Sequence, residues 1–151
     1  MESGLFANDL GMKLKSYLKA CLFLTAGGTL FSGYLSGVKF FEKTCAFNET
    51  CPYFLGYPAC YFGFALFLFL LVSTIAAYAS GKYKKWAVKV NTVVSGLGIL
   101  FAVYISAIDL MVFFRAQGMS YTLLLPTCVY GGVFFAIVFV MSAVSLKNNN
   151  S

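Results

Sequence analysis

The sequence predicts an all-α fold, an integral membrane bundle of four helices, and three observations carry that prediction. The 151-residue chain is 60% hydrophobic and 19% aromatic with only 11% charged residues, too apolar to build a water-facing surface. Four long apolar runs, at about residues 18–39, 59–80, 86–113 and 121–146, each supply the roughly 20 residues a helix needs to cross a hydrocarbon core about 30 Å thick. Short segments of strict apolar–polar alternation do not occur, and in lipid only helices or closed barrels satisfy the backbone.

The first run follows Lys13, Lys15 and Lys19, the arrangement of a secretory signal. Its apolar part, Ala20 to Val38, is longer than the roughly 7–15 residues of a signal core, and no A-x-A-like cleavage site follows. It reads as a retained span, with residues 1–12 a weakly amphipathic lead at the membrane surface. The second run opens on "YPACYFG" and the fourth on "LPTCVYGG". Proline is tolerated at the first helical position, where its missing N–H is not needed, so Pro58 and Pro126 read as helix starts. Cys60 and Cys128 then fall in first turns, where unsatisfied N–H groups and the positive end of the helix dipole favour a thiolate.

Charge sets the orientation. Eight of the eleven basic residues (Lys13, Lys15, Lys19, Lys82, Lys84, Lys85, Lys89 and Lys147) fall at ends that an even-numbered bundle places on one face, and only Lys39, Lys43 and Arg115 on the other. The excess of Lys and Arg normally stays cytoplasmic, so both termini and the "SGKYKKW" connection are expected there. The net charge of +6 needs no nucleic acid to account for it. The chain contains no histidine, which excludes histidine-based acid–base or metal chemistry. Five dispersed cysteines with no histidine to complete a ligand set argue against a zinc site.

In this topology Cys45, Cys51, Cys60 and Cys128 face the extracytoplasmic, oxidising side, and Cys21 is a small buried hydrophobe. The loop "CAFNETC" joins Cys45 to Cys51 over so short a span that a bridge there adds little loop-closure stability. Two readings stand for it, an exchangeable disulfide and a static one. Its Asn48-Glu49-Thr50 triplet is a glycosylation acceptor in a eukaryotic lumen only.

The chain also aligns with itself. "GTLFSGYLSGVK" (28–39) matches "GILFAVYISAID" (98–109) at an offset of 70, and "YFLGYPACYFGFALF" (53–67) matches "YTLLLPTCVYGGVFF" (121–135) at 68. The reading is two tandem helical-hairpin repeats, about 20–80 and 86–146, in a single domain covering 1–151, with a pseudo-axis along the membrane normal. Cys60 becomes the counterpart of Cys128, and the two can be bridged if their Cα atoms come within about 7 Å. Lys39 becomes the counterpart of Asp109; the two either pair across the halves or reach the interface separately.

These segments together resemble the vitamin K epoxide reductase family of quinone-linked, disulfide-forming membrane enzymes. "LFSGYLSGVKFFEKTC" is similar to the end of that family's first span, Cys45 and Cys51 to its shuttle pair, "FLGYPACYFG" to the opening of its second span, and "GILFAVYISAIDLMVFF" to its third. "TCVYGGVFF" stands where the family carries Cys-Xaa-Xaa-Cys, with Gly131 at the second cysteine, so family chemistry here requires Cys60 to partner Cys128. The resemblance implies a thiol–disulfide oxidoreductase. A thioredoxin-like extracytoplasmic partner would be oxidised through Cys45 and Cys51, which are reset by the Cys60/Cys128 pair, with electrons passing to a quinone. Tyr57, Tyr61, Tyr130, Phe134 and Phe135 are the expected walls of its slot; an interfacial aromatic belt is the other reading of the same residues. The competing function is a non-enzymatic four-span scaffold or accessory protein with static outer disulfides. A transporter has little support, because apart from Lys39 and Asp109 the spans carry only Lys19 and Lys89, each within four residues of a span start.

Overall fold

The computed structural model describes residues 2–43, 53–116 and 127–150, with side chains described from 15 onward apart from 113, 116 and 148–150. The order is α1 (Glu2–Glu42), β1 (Tyr53–Phe54), β2 (Tyr57–Pro58), α2 (Ala59–Ser80), α3 (Lys84–Ala116) and α4 (Thr127–Asn150). Each helix contains a segment long and apolar enough to span a membrane: Lys15–Glu42, Ala59–Ser80, Lys84–Val112 and Thr127–Lys147. The chain is therefore an all-α, multi-pass membrane bundle. α1 packs chiefly on α2 and α3 chiefly on α4, with smaller α2–α3 and α1–α4 interfaces closing the ring. The α2–α3 turn marks one end of the bundle, here the turn end; the other, where α1 ends and α2 begins, is the loop end.

The residue distribution suits lipid rather than water. Large side chains such as Phe23, Leu30 and Leu100 point outward, whereas the interior holds Cys21, Thr25, Ser32, Ser73, Thr74, Asn91, Ser95 and Ser142. Small and polar residues let helices approach closely and bond across the interface, which matters where lipid tails offer no hydrophobic drive for association. The 70-residue offset reappears in this pattern. Residues 17–32 and 87–102 have the same sequence of buried, intermediate and exposed classes at all sixteen positions.

Two glycines set the closest approach. A Cβ on Gly28 would lie 2.4 Å from the Phe67 ring, and one on Gly98 would lie 2.5 Å from Phe135. The two rings, thus seated on matching glycines, stack on each other with centroids 4.1 Å apart and planes at 16°, joining α2 to α4 across the bundle.

Three details depart from the sequence expectation. Residues 2–42 form one continuous helix, about 60 Å long at 1.5 Å per residue, so the lead is not a separate surface segment. Pro58 is the N-cap of α2, with φ −59° and ψ 137°, and Ala59 is the first helical residue; the start lies one position later than expected. Residues 53–58 form a two-stranded hairpin with Tyr53 opposite Pro58 and Phe54 opposite Tyr57, which apolar-run counting does not reveal. Its two turn residues, Leu55 (φ 52°) and Gly56 (φ 85°), have the paired positive φ of a type I′ turn. Of the fourth predicted span, 121–146, residues 127–146 lie in α4, and 121–126 are outside the described residues.

Candidate functional site

A half-open cavity of about 60 Å³ lies within the bundle toward its loop end. Its walls pair off between the chain's halves. Phe31, Ser32 and Leu35 on α1 face it with Phe101, Ala102 and Ile105 on α3; Ala59, Cys60, Gly63 and Phe67 on α2 face it with Thr127, Cys128, Gly131 and Phe135 on α4. The first set is related by the offset of 70 and the second by 68, so all fourteen lining residues form seven corresponding pairs.

Local structure puts the sulfurs there. Cys60 and Cys128 are each the second residue of a helix. No side chain caps the N-terminus of α2, so first-turn N–H groups remain oriented along the helix toward the loop end. The Ser36 hydroxyl donates to the Cys60 carbonyl at 3.2 Å, tying this turn to α1. Gly63 and Gly131 follow one turn later, and a Cβ on either would meet nothing within 4 Å. Their missing side chains therefore leave space for the cavity rather than bringing two helices together. The stacked Phe67 and Phe135 close its deep end.

The hairpin sits against one wall. Phe54 packs edge-on against Phe62 and Phe101, each at a centroid distance of 5.4 Å, and against Tyr104 at 6.1 Å. Phe101 lines the cavity, so the hairpin braces the wall that α3 contributes. The Lys39 ammonium lies 5.4 Å from the centre of the Tyr53 ring, within cation–π range. Asp109 is buried.

The sequence-derived site residues divide as follows. Cys60 and Cys128 line one cavity, and both, like Cys21, are thiols. Cys45 and Cys51 lie outside the described residues. Of the five aromatic residues expected to form a slot, only Phe135 lines the cavity. Phe134 packs edge-on against Phe67 at 6.4 Å, Tyr57 stands exposed on the hairpin, and Tyr61 and Tyr130 flank the cysteine-bearing turns without lining the cavity. The aromatic walls are instead Phe31, Phe67, Phe101 and Phe135. The repeat held the signal for all four, because Phe31/Phe101 and Phe67/Phe135 are identical pairs within the aligned segments. Among the described residues no group of three His, Cys, Asp or Glu is placed to hold a metal ion.

Toward the turn end, the interior contains a polar network that joins all four helices. Asn91 on α3 donates to Thr74 (3.1 Å) and Tyr17 (3.4 Å), lies 3.6 Å from Cys21 Sγ, and accepts from Ser73 at 2.6 Å. Tyr17 and Ser142 share a hydrogen bond at 2.7 Å. Two amide protons serve three neighbours, so one contact is shared. Cys21 is buried as expected, but it lies in this network, 3.7 Å from Thr74 Oγ1.

Comparison with family models, with curated proteins and with solved structures gives no match for this chain.

Proposed function

We propose that this protein is a membrane thiol–disulfide oxidoreductase that uses Cys60 and Cys128 as its intramembrane redox pair and a quinone as electron acceptor. The observation that supports this reading is the placing of two corresponding first-turn thiols on one cavity with four phenylalanine rings. In the proposed cycle a Cys45–Cys51 disulfide oxidises a thioredoxin-like dithiol outside the membrane and becomes a dithiol itself. Thiol–disulfide exchange with a Cys60–Cys128 disulfide restores it. The resulting Cys60/Cys128 dithiol gives two electrons and two protons to the quinone, which leaves as quinol while the disulfide re-forms. The quinone supplies the two-electron chemistry; the protein supplies position and an apolar setting. Both termini are cytoplasmic in this scheme, and the Cys45/Cys51 loop is extracytoplasmic.

One observation favours a second reading, a four-span scaffold or accessory protein. The cavity's 60 Å³ is below the roughly 150 Å³ that accepts a benzene ring, so a quinone head must occupy the open side or displace a phenyl wall.

The test uses the purified chain in lipid nanodiscs with a soluble dithiol donor and a short-chain quinone. The oxidoreductase reading expects quinone reduction that Cys60→Ser and Cys128→Ser each abolish and Cys21→Ser preserves. Mass mapping of trapped thiols should find mixed connectivity among Cys45, Cys51, Cys60 and Cys128. Absence of both quinone reduction and exchange between the two cysteine pairs selects the scaffold.

A further inference from the structure

A second and larger space lies near the turn end. Ser73, Ala76 and Ala77 of α2, with Tyr83 in the turn and Trp86 in the first turn of α3, border a half-open groove of about 310 Å³. We propose that this groove binds an anionic phospholipid, with an acyl chain against the alanines, Tyr83 and Trp86 and the phosphate held by Lys82, Lys84 and Lys85.

The shape comes from the local sequence. Gly81 adopts the left-handed conformation (φ 61°) and donates its N–H to the Ala77 carbonyl, the common way to end a helix and reverse the chain. Three residues, Gly81, Lys82 and Tyr83, then separate α2 from α3. Two alanines on α2 leave the depression between the helices, while Tyr83 and Trp86, both more than half exposed, form its aromatic side. The Ser73 hydroxyl in the wall is engaged with Asn91 at 2.6 Å, so a chain lying in the groove leaves that hydroxyl paired.

Charge selects the head group. Lys82, Lys84, Lys85 and Lys89 occur within eight residues, and no Asp or Glu lies between Glu49 and Asp109. The Lys84 side chain lies back over the turn, its Cε 4.0 Å from the position of a Cβ on Gly81. Tyr and Trp favour the head-group depth of a bilayer, which brings this lysine cluster level with lipid phosphates. A soluble anion would satisfy the lysines but leave the apolar groove unfilled, so the lipid is the occupant the two features share.

Trp86 is the only tryptophan in the chain, so its fluorescence reports on the groove directly. The full chain is reconstituted in phosphatidylcholine nanodiscs, and Trp86 quenching is measured as bromo-chain phosphatidylglycerol or bromo-chain phosphatidylcholine replaces the unlabelled lipid. At low salt the anionic lipid should be favoured about tenfold, a discounted sum of the contribution expected per lysine near an anionic surface. The preference should shrink toward unity in molar sodium chloride. Lys82→Gln/Lys84→Gln/Lys85→Gln should remove the preference while leaving quenching by bromo-phosphatidylcholine unchanged, and Ala76→Phe should weaken quenching by both. Equal quenching of the native chain by the two lipids overturns the proposal without recourse to any variant, as does a preference retained by the triple variant. Displacement by sodium phosphate beyond that caused by sodium chloride at equal ionic strength also overturns it, because the site would then recognise phosphate without a lipid.

Discussion

Alanine substituted at two neighbouring glycines of α1 should change stability in opposite directions. In a helix interior Gly→Ala normally gains about 0.5–1 kcal/mol by restricting the unfolded chain. Gly27 has nothing within 4 Å of the new methyl, so Gly27→Ala should show that gain. At Gly28 the same methyl would meet three Phe67 ring carbons at 2.4, 2.5 and 2.9 Å, and reaching ordinary contact near 3.5 Å requires a shift of about 1 Å. Phe67 is 2% exposed and stacked on Phe135, so it has nowhere to retreat without breaking the stack. Overpacking costs about 1–3 kcal/mol and loss of the ring pair about 0.5–1.5 kcal/mol. After the helix gain, Gly28→Ala should destabilise by about 2–3 kcal/mol, and Gly98→Ala, with 2.5–2.7 Å to Phe135, by a similar amount. Phe67→Leu should absorb part of the strain, so the double variant should be less destabilised than the sum of the singles by about 1 kcal/mol or more. Unfolding in mixed micelles on titration with dodecyl sulfate, followed by helical circular dichroism, gives all five values. Equal stability of Gly27→Ala and Gly28→Ala, or strict additivity with Phe67→Leu, would refute the packing account.

Asn91→Leu should cost about 2 kcal/mol in the same titration, from three interhelical hydrogen bonds at about 0.6 kcal/mol each in a membrane, while Ser73 and Tyr17 keep the Leu70 carbonyl and Ser142 as partners; a loss under about 0.5 kcal/mol would show that the network does not hold the helices together. Leu55→Gly should stabilise the hairpin by about 1 kcal/mol by relieving a side chain held at φ 52°, read as slower hydrogen exchange over residues 53–58. Faster exchange would contradict the turn assignment. Gly63→Val and Gly131→Val should each retain helicity and stability, because their side chains project into open space, yet each should abolish quinone reduction by filling the cavity. Full activity in both would remove the cavity from the mechanism.

The spans were legible because membrane crossing is a matter of length and hydropathy: the run at 59–80 has the bounds of α2, and that at 86–113 lies within α3. The 70- and 68-residue offsets located Cys60 and Cys128 on matching turns, and both cysteines line the cavity. The hairpin was not legible because its turn uses Leu55, a residue that rarely adopts positive φ, and because "YFLGYP" is apolar enough to pass for the start of a span. Tyrosines next to the cysteines attracted attention as walls, but adjacent helical residues point about 100° apart, and the residues one to two turns deeper, Gly63 and Phe67, share the cysteine's face instead. The polar network escaped because its hub, Asn91, is a single amide in an apolar run and its partners are individually ordinary Ser, Thr, Tyr and Cys residues. The spacing of Tyr17, Cys21 and Thr25 at i, i+4 and i+8 traces one face of α1 and is the pattern that marks it.

The paired walls also bear on how a guest would lie. Four of the seven pairs are identical and Leu35/Ile105 is nearly so, leaving Ser32 opposite Ala102 and Thr127 opposite Ala59 as the differences. A molecule turned end for end would meet almost the same surface. Orientation within the cavity is therefore nearly degenerate, resolved chiefly by one hydroxyl in each half, and exchanging those two hydroxyls for the methyls opposite them would leave only the branching of Leu35 against Ile105 to tell one way round from the other.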